Sequence, residues 1–269
     1  MSRRARLDTE LVRRGLARSR EQAAALVEAG RVQVGGRAAV KAATQVLTGD
    51  PIVVAPTPGA PDYVSRGGHK LAGALDAFQA HGLVVGGRRA LDAGASTGGF
   101  TDVLLRRGAA HVLCVDVGYG QLAWSLRTDE RVSVLDRTNV RDLDPDVVGP
   151  AVGLVVADLS FISVRLVLPA LLRCAEDDAD FVPMVKPQFE VGRDRLGDGG
   201  VVRDPVLRAD AVSGVARTAY DELGLGVLGV IASPLPGPAG NVEYFLWLRR
   251  GAPPLDPAEL AAAVEAGPR

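Results

Sequence analysis

The stretch Ala90-Leu91-Asp92-Ala93-Gly94-Ala95-Ser96-Thr97-Gly98-Gly99-Phe100 decides the class of the fold. Apolar residues run into a turn of small side chains, the composition of a strand-to-helix junction whose backbone a ligand can approach closely. Outward from it, short apolar runs at His111–Val115, Val132–Leu135, 152–156 and 181–185 alternate with helical segments. That alternation reads as α/β, a parallel sheet covered by helices. The last two runs, 227–231 and 242–248, are joined by a Pro/Gly loop rather than a helix, which predicts an antiparallel hairpin at the sheet edge. An Ala-rich stretch at 257–266 predicts a closing helix.

Asp116 ends the second run, where a carboxylate can hold ribose hydroxyls, and Asp136 ends the third. The spacing fits either a dinucleotide or S-adenosylmethionine, although residues 94–99 lack the G-x-G-x-x-G fingerprint of the former. A glycine-rich turn can also serve packing alone.

Composition narrows the classes. With 269 residues, 47% hydrophobic and 23% charged, the chain is globular and long enough for one large domain plus a small one. Two cysteines, Cys114 and Cys174, and three histidines cannot make a disulfide framework or a multi-thiolate zinc site, so no metal is expected. His69 is a candidate for touching RNA, and His81 and His111 read as structural. The basic start lacks a following apolar core, and no apolar run reaches the ~18 residues of a spanning helix. A soluble, cytoplasmic protein without membrane insertion is the expectation. The net charge of −1 conceals polarity: residues 1–60 carry ten basic and five acidic residues, a net +5, which leaves −6 for the rest. A basic module on a neutral or acidic body suits nucleic-acid binding, though solvated charge alone would look the same.

Within that module Leu7 and Val12 bracket Asp8 as a hydrophobic staple would, predicting a helix over 9–16 with Asp8 as its N-cap and Leu7, Leu11, Val12 and Leu16 as its stripe. Ser19-Arg20-Glu21-Gln22 has capping-box spacing for a second helix stopped at Gly30, and Val32 and Val34 lead into a Gly35-Gly36 hairpin. Arg13, Arg14, Arg18, Arg20 and Lys41 are left for the outside. Arg6-Leu7-Asp8, Ser19-Arg20, Ala23, Gly30, Val32 and Val34-Gly35-Gly36 together resemble the S4 RNA-binding domain. The resemblance implies binding of structured RNA, with Arg4, Arg6, Arg18, Arg20 and Lys41 as candidate contacts. Pro56, Pro58, Gly59 and Pro61 mark a linker, giving domains at 1–60 and 65–269 around a junction at 61–64.

Over nearly the whole chain, the 94–100 turn, Asp116-Val117-Gly118-Tyr119-Gly120-Gln121-Leu122, Asp158-Leu159-Ser160-Phe161-Ile162-Ser163, Lys186-Pro187-Gln188-Phe189-Glu190, Gly240-Asn241-Val242-Glu243 and Ser65-Arg66-Gly67-Gly68-His69-Lys70 resemble the TlyA family. That likeness implies a Rossmann-like class I methyltransferase sheet of the FtsJ type behind an S4-like α+β domain. It implies S-adenosylmethionine-dependent 2′-O-methylation of ribose, cytidine in particular, in 16S or 23S ribosomal RNA within ribosomal subunits. The implied cofactor contacts are Asp92, Gly94, Ala95, Ser96, Thr97, Gly98, Gly99, Phe100, Asp116 and Asp136. Lys70, Asp158, Lys186 and Glu243 fall on the family's K-D-K-E positions. Where some relatives carry a basic-aromatic tetrapeptide, this chain has Pro61-Asp62-Tyr63-Val64. Some members were first called haemolysins.

Independently of that likeness, Asp158 and Lys186 each follow an apolar run and so fall at the carboxyl edge of the sheet, where open α/β folds build their sites. In the reaction that the resemblance implies, Lys186 would serve the 2′ oxygen as a cation favouring the developing alkoxide, or as a proton acceptor if Lys70 nearby disfavours its charge. Arg66 and Arg137 are further candidates for phosphate contacts. Two other readings keep part of the pattern: a nucleotide-dependent enzyme of another kind, and a non-catalytic ribosome-binding or membrane-active protein.

Overall fold

The structure, a computed structural model, describes residues 4–14, 16, 17, 20–55 and 62–268, without the side chains of residues 193 and 198. It divides into two compact units, Met1–Asp62 and Tyr63–Arg269. In the first unit, β1 (Arg4–Arg6) runs directly into α1 (Leu7–Arg13), followed by α2 (Arg20–Glu28), β2 (Val32–Val34), β3 (Arg37–Ala38), β4 (Gln45–Leu47) and β5 (Ile52–Val54). β1 pairs with β4, and β2 lies between β3 and β5, all antiparallel. Leu7, Leu11, Ala23, Val27, Val32 and Val46 form its core.

Two expectations are corrected here. α1 begins at Leu7, with Arg6 at its N-cap, so Asp8 sits inside the first turn and Leu16 lies beyond the helix, partly exposed. Pairing of β1 with β4 carries extended backbone up to Arg6, and that tertiary constraint outweighs the capping preference of Asp8. Arg14 does not point outward: it binds Glu10 and the carbonyls of Thr48 and Asp50. Arg18, Ser19 and the 56–61 linker lie outside the described residues.

The second unit comprises α3 (Arg66–Gln79), β6 (Arg89–Ala93), α4 (Gly99–Arg106), β7 (His111–Val115), α5 (Trp124–Arg127), β8 (Val132–Leu135), α6 (Pro145–Val148), β9 (Val152–Ala157), α7 (Leu168–Arg173), β10 (Ala175–Val185), α8 (Pro187–Glu190), α9 (Pro205–Leu223), β11 (Leu225–Ala232), β12 (Tyr244–Arg250) and α10 (Pro257–Glu265). Its seven strands order as β11-β12-β10-β9-β6-β7-β8. Strands β8, β7, β6, β9 and β10 are parallel, while β12 runs antiparallel to both β10 and β11, the hairpin read from the Pro/Gly loop.

Strand periodicity sorts the core into two layers. Leu91, Leu113, Val155, Phe181 and Leu246 face α7, α9 and α10, while Ala90, Val112, Leu154, Val182 and Trp247 face α3 and α4. α9 and α10 begin where the chain supplies caps: Asp204 and Asp256 each accept a backbone N–H two residues on and precede a proline at the first helical position. Strand order reverses between β6 and β9, and a crevice opens at their carboxyl ends.

Toward the amino ends of the same strands, the fully buried Asp180 accepts from Arg88 Nη1 at 2.7 Å, Trp247 Nε1 at 2.6 Å and Arg249 Nε at 2.8 Å. One carboxylate thus ties the entry of β6 to β10 and β12. Asp180→Ala strands two guanidinium groups and an indole N–H, and is expected to lower the free energy of unfolding by about 3 kcal/mol. Urea titration of the two chains measures the loss, and a change within about 0.5 kcal/mol would show the cluster to be dispensable.

Candidate functional site

Behind β6, Gly94 adopts φ +83°, and a Cβ there would lie 2.6 Å from the carbonyl oxygen of Asp158. The turn leaving β6 therefore packs backbone to backbone on the chain leaving β9. Ser96 also has positive φ, at 47°. Its N–H donates to Asp116 Oδ2 at 2.8 Å, while Asp116 Oδ1 accepts from Gly118 N at 2.7 Å. The carboxylate at the end of β7 thus fixes both the glycine turn and its own loop. At Gly99 a Cβ would strike Ser65 Oγ and come within 2.8 Å of Gly68 N, so the starts of α3 and α4 meet only because the residue is glycine.

These elements bound a cleft of about 320 Å³. Gly94, Ala95, Ser96, Thr97, Gly99 and Phe100 line it, together with Lys70, Asp158, Lys186 and Glu243. Gly98, at φ +96°, shapes the turn from beneath Leu122 and Leu126, and Asp92 is buried below it. Asp116 stands behind Ser96. Asp136, just after β8, is engaged with the segment after β7, accepting from Arg127 Nη1 at the end of α5 at 3.1 Å and from Gly120 N at 3.3 Å.

The four residues of the K-D-K-E set come together as two ion pairs. Lys186 Nζ lies 2.6 Å from Asp158 Oδ1 and donates to Ser160 Oγ at 3.2 Å, both partners being on the loop after β9. Lys70, on α3, donates to Glu243 Oε2 at 2.5 Å from a position almost wholly enclosed. Glu243 immediately precedes β12, and its Oε1 sits where a Cβ on Gly237 would be 2.6 Å away. Two ammonium groups, each with its own carboxylate, thus face one cleft that can hold and polarise a hydroxyl.

Two buried acids, Glu190 with no expected role and Asp92 expected at the cofactor, support this arrangement. Glu190, at the end of α8, accepts from Ser163 Oγ at 2.6 Å, Val164 N at 2.7 Å and Arg165 Nε at 3.2 Å, lacing the loop after β9 to the segment after β10. Burial raises its carboxyl above the ordinary range. Asp92, expected at the cofactor, instead accepts from Thr101 Oγ1 at 2.7 Å, which ties α4 to β6, and its Oδ1 is buried with no partner among the described residues. Burial, aided by the charges of Asp158 and Asp116, pushes its carboxyl up to about 7. Glu190 was within reach of the sequence, four residues after Lys186 in the same quoted run. Ser160 likewise lies two residues after Asp158. Thr101 carried no such signal.

Residues 63–250 match the FtsJ-like methyltransferase model and residues 5–52 the S4 domain. The 16S/23S rRNA (cytidine-2′-O)-methyltransferase TlyA of Mycobacterium tuberculosis is 65% identical over 93% of this chain and 91% of its own. This chain belongs to the TlyA family. Hemolysin A of Brachyspira hyodysenteriae is 35% identical over 89% of this chain and 98% of its own. A solved Streptococcus thermophilus structure, also described as a hemolysin, is 37% identical, with a TM-score of 0.79 over 98% of this chain and 96% of its own.

In the S4 unit of this TlyA-family chain, Arg4 and Lys41 are exposed, while Arg6 and Arg20 both bind the buried Asp8. In the methyltransferase unit, Arg66 lines the cleft and reaches Pro236 O at 3.3 Å, and the Arg137 guanidinium lies 4.4 Å from the Tyr119 ring centre. His69 stands edge-on to Tyr63 at 5.1 Å, and Val64 N donates to Asp102 Oδ2 at 3.0 Å. Tyr63 and Val64 of the altered tetrapeptide therefore pack on the methyltransferase unit.

The raised Asp92 carboxyl makes stability depend on pH. Its folded value of about 7 lies above the ordinary 3.8, so between those values the folded chain keeps a proton that the unfolded chain has released. Its contribution to stability is accordingly retained at low pH and lost as pH rises toward 7, by at most about 1.4 kcal/mol per pH unit. Asp92→Asn removes this titration. Urea unfolding from pH 5 to pH 7 is expected to show the variant gaining about 2 kcal/mol on the parent, whereas a pH-independent difference would place the Asp92 titration elsewhere.

Proposed function

We propose that this chain is an S-adenosylmethionine-dependent methyltransferase acting in the cytoplasm on the 2′ hydroxyl of cytidine in 16S or 23S ribosomal RNA within ribosomal subunits. The observation that carries the reading is the pair of lysine–carboxylate bridges gathered beside the glycine turn, in a chain that also has an S4 domain. The 65% identity to the mycobacterial rRNA cytidine methyltransferase supports the substrate.

The cleft fits the cofactor on its own terms. Gly94, Ala95, Ser96 and Gly99 line the cleft with little side-chain bulk, so the turn can be approached closely. Asp116 keeps further acceptor capacity on both oxygens beside its two backbone donors, as ribose hydroxyls require. When bound, S-adenosylmethionine supplies an electrophilic methyl group. The chain supplies placement and charge. Lys186, steadied by Asp158 and Ser160, serves the 2′ oxygen in one of two ways: as an ammonium it favours the negative charge growing there while the proton passes to solvent, or as a neutral amine it takes that proton itself. Lys70 and Glu243 fix the facing wall, and positioning of the hydroxyl supplies much of the remaining rate.

Incubation with tritium-labelled S-adenosylmethionine and purified ribosomal subunits tests the reading directly: label is expected in ribosomal RNA, in nuclease-resistant 2′-O-methyl dinucleotides. RNA binding without any transfer would leave a non-catalytic ribosome-binding protein instead. Lys186→Ala is expected to lower the single-turnover rate by about 10² to 10⁴ while cofactor and RNA affinities stay within about 3-fold of the parent. Partial recovery in Lys186→Arg marks a role for charge, since arginine keeps its proton, and no recovery marks proton acceptance. Asp116→Ala is expected to weaken S-adenosylhomocysteine binding by about 1–3 kcal/mol in calorimetry, and an unchanged affinity in the folded variant would remove it from the cofactor site.

A further inference from the structure

The amino-terminal unit carries a carboxylate where a surface made for an anion would be expected to avoid one. Asp8 is almost wholly buried, yet its side chain receives two guanidinium groups that are themselves well exposed. Arg6 donates from Nη2 to Asp8 Oδ2 at 2.7 Å and from Nε to Oδ1 at 3.1 Å. Arg20 donates to the same Oδ2 from Nη2 at 3.1 Å and Nε at 3.4 Å. Thr9 fixes the carboxylate from below, through its N–H at 2.7 Å and its hydroxyl at 3.2 Å on Oδ1.

The two arginines come from different elements, Arg6 closing β1 and Arg20 opening α2, and meet only on this acid. The neighbouring acid behaves differently. Glu10 also gathers two arginines, but its Arg14 continues to the carbonyls of Thr48 and Asp50, making that cluster a tie within the fold. Among the described residues no other group engages the Nη1 of Arg6 or Arg20, which with part of Nη2 is left for an external acceptor in the fork geometry that suits phosphate.

We propose that Asp8 is a positioning residue for RNA binding, presetting Arg6 and Arg20 as one paired fork for the phosphate backbone. The proposal rests on the reading that this unit contacts RNA through those arginines. It makes a prediction opposite in sign to simple charge counting. Neutralising Asp8 adds positive charge to the surface, which by counterion release should tighten binding and steepen its salt dependence. Release of two rotamer-rich side chains, each of which must then be ordered on binding, works the other way and is the larger effect.

The test measures binding of the full-length chain to purified 23S ribosomal RNA over a salt series, for Asp8→Asn, Arg6→Gln, Arg20→Gln, the double arginine variant, and that double variant with Asp8→Asn added. Asp8→Asn is expected to bind about 10-fold more weakly, with no steeper salt slope. Each arginine variant should weaken binding and flatten the log-log slope by roughly 0.7 to 0.9. In the double arginine background Asp8→Asn should have no further effect, because its action passes through those two side chains. Tighter binding with a steeper slope in Asp8→Asn overturns the proposal. So does a loss that persists undiminished without the arginines, which marks damage to the fold. Arginine variants that bind like the parent overturn the RNA reading of the pair, and the role of Asp8 with it.

Discussion

The close approach of Gly94 to the Asp158 carbonyl is the constraint on which the rest of the site depends. Strands β6 and β9 are neighbours whose following segments diverge, and the crevice between them exists because the chain can turn away from β6 with no side chain in the gap. Any Cβ at 94 would push the two turns apart. Asp158 leads the displaced segment, Lys186 is paired to Asp158, and the glycine turn is held from its far side by Asp116, so one backbone contact sets the relative places of the glycine turn and Lys186.

The two lysine–carboxylate bridges are not explained by stability. Desolvating both partners of an enclosed pair offsets most of their attraction, and an apolar replacement often does as well. Asp180 and its arginines illustrate the purely structural use of the same chemistry: the carboxylate is closed off by Trp247 and joins three strands. In the cleft, by contrast, both ammonium groups stand at the wall of an open space. Glu190 binds together the two loops that carry the Lys186 pair, and its burial among Ser163, Val164 and Arg165 makes that lacing stiff.

Much of this architecture was legible in the sequence because it depends on local pattern. Strand runs, the glycine turn, the hairpin after the Pro/Gly loop and the sheet-edge places of Asp158 and Lys186 all follow from periodicity and punctuation. What failed to show was governed by partners that only the folded chain brings together. Lys70 and Glu243 meet across 173 positions, and only the completed sheet brings them together. Asp8 reads locally as a helix cap, but pairing of β1 with β4 moves the helix start to Leu7 and turns the acid toward Arg6 and Arg20. Asp92 looks like a cofactor ligand by position, yet β6 periodicity points it into the layer beneath α4, where Thr101 is its partner. Arg14 reads as surface charge until the β4 to β5 turn brings the Thr48 and Asp50 carbonyls to it.

The Lys70–Glu243 bridge also has a consequence for biogenesis. As the chain leaves the ribosome, α3 emerges with its lysine long before the segment bearing the matching acid. At about 5–20 residues per second, that interval lasts roughly 9–35 s. Throughout it the nascent amino-terminal unit is already complete, while the cleft still lacks one wall. A newly made chain therefore acquires its S4 unit well before it acquires a closed cleft, and the order of synthesis separates the two.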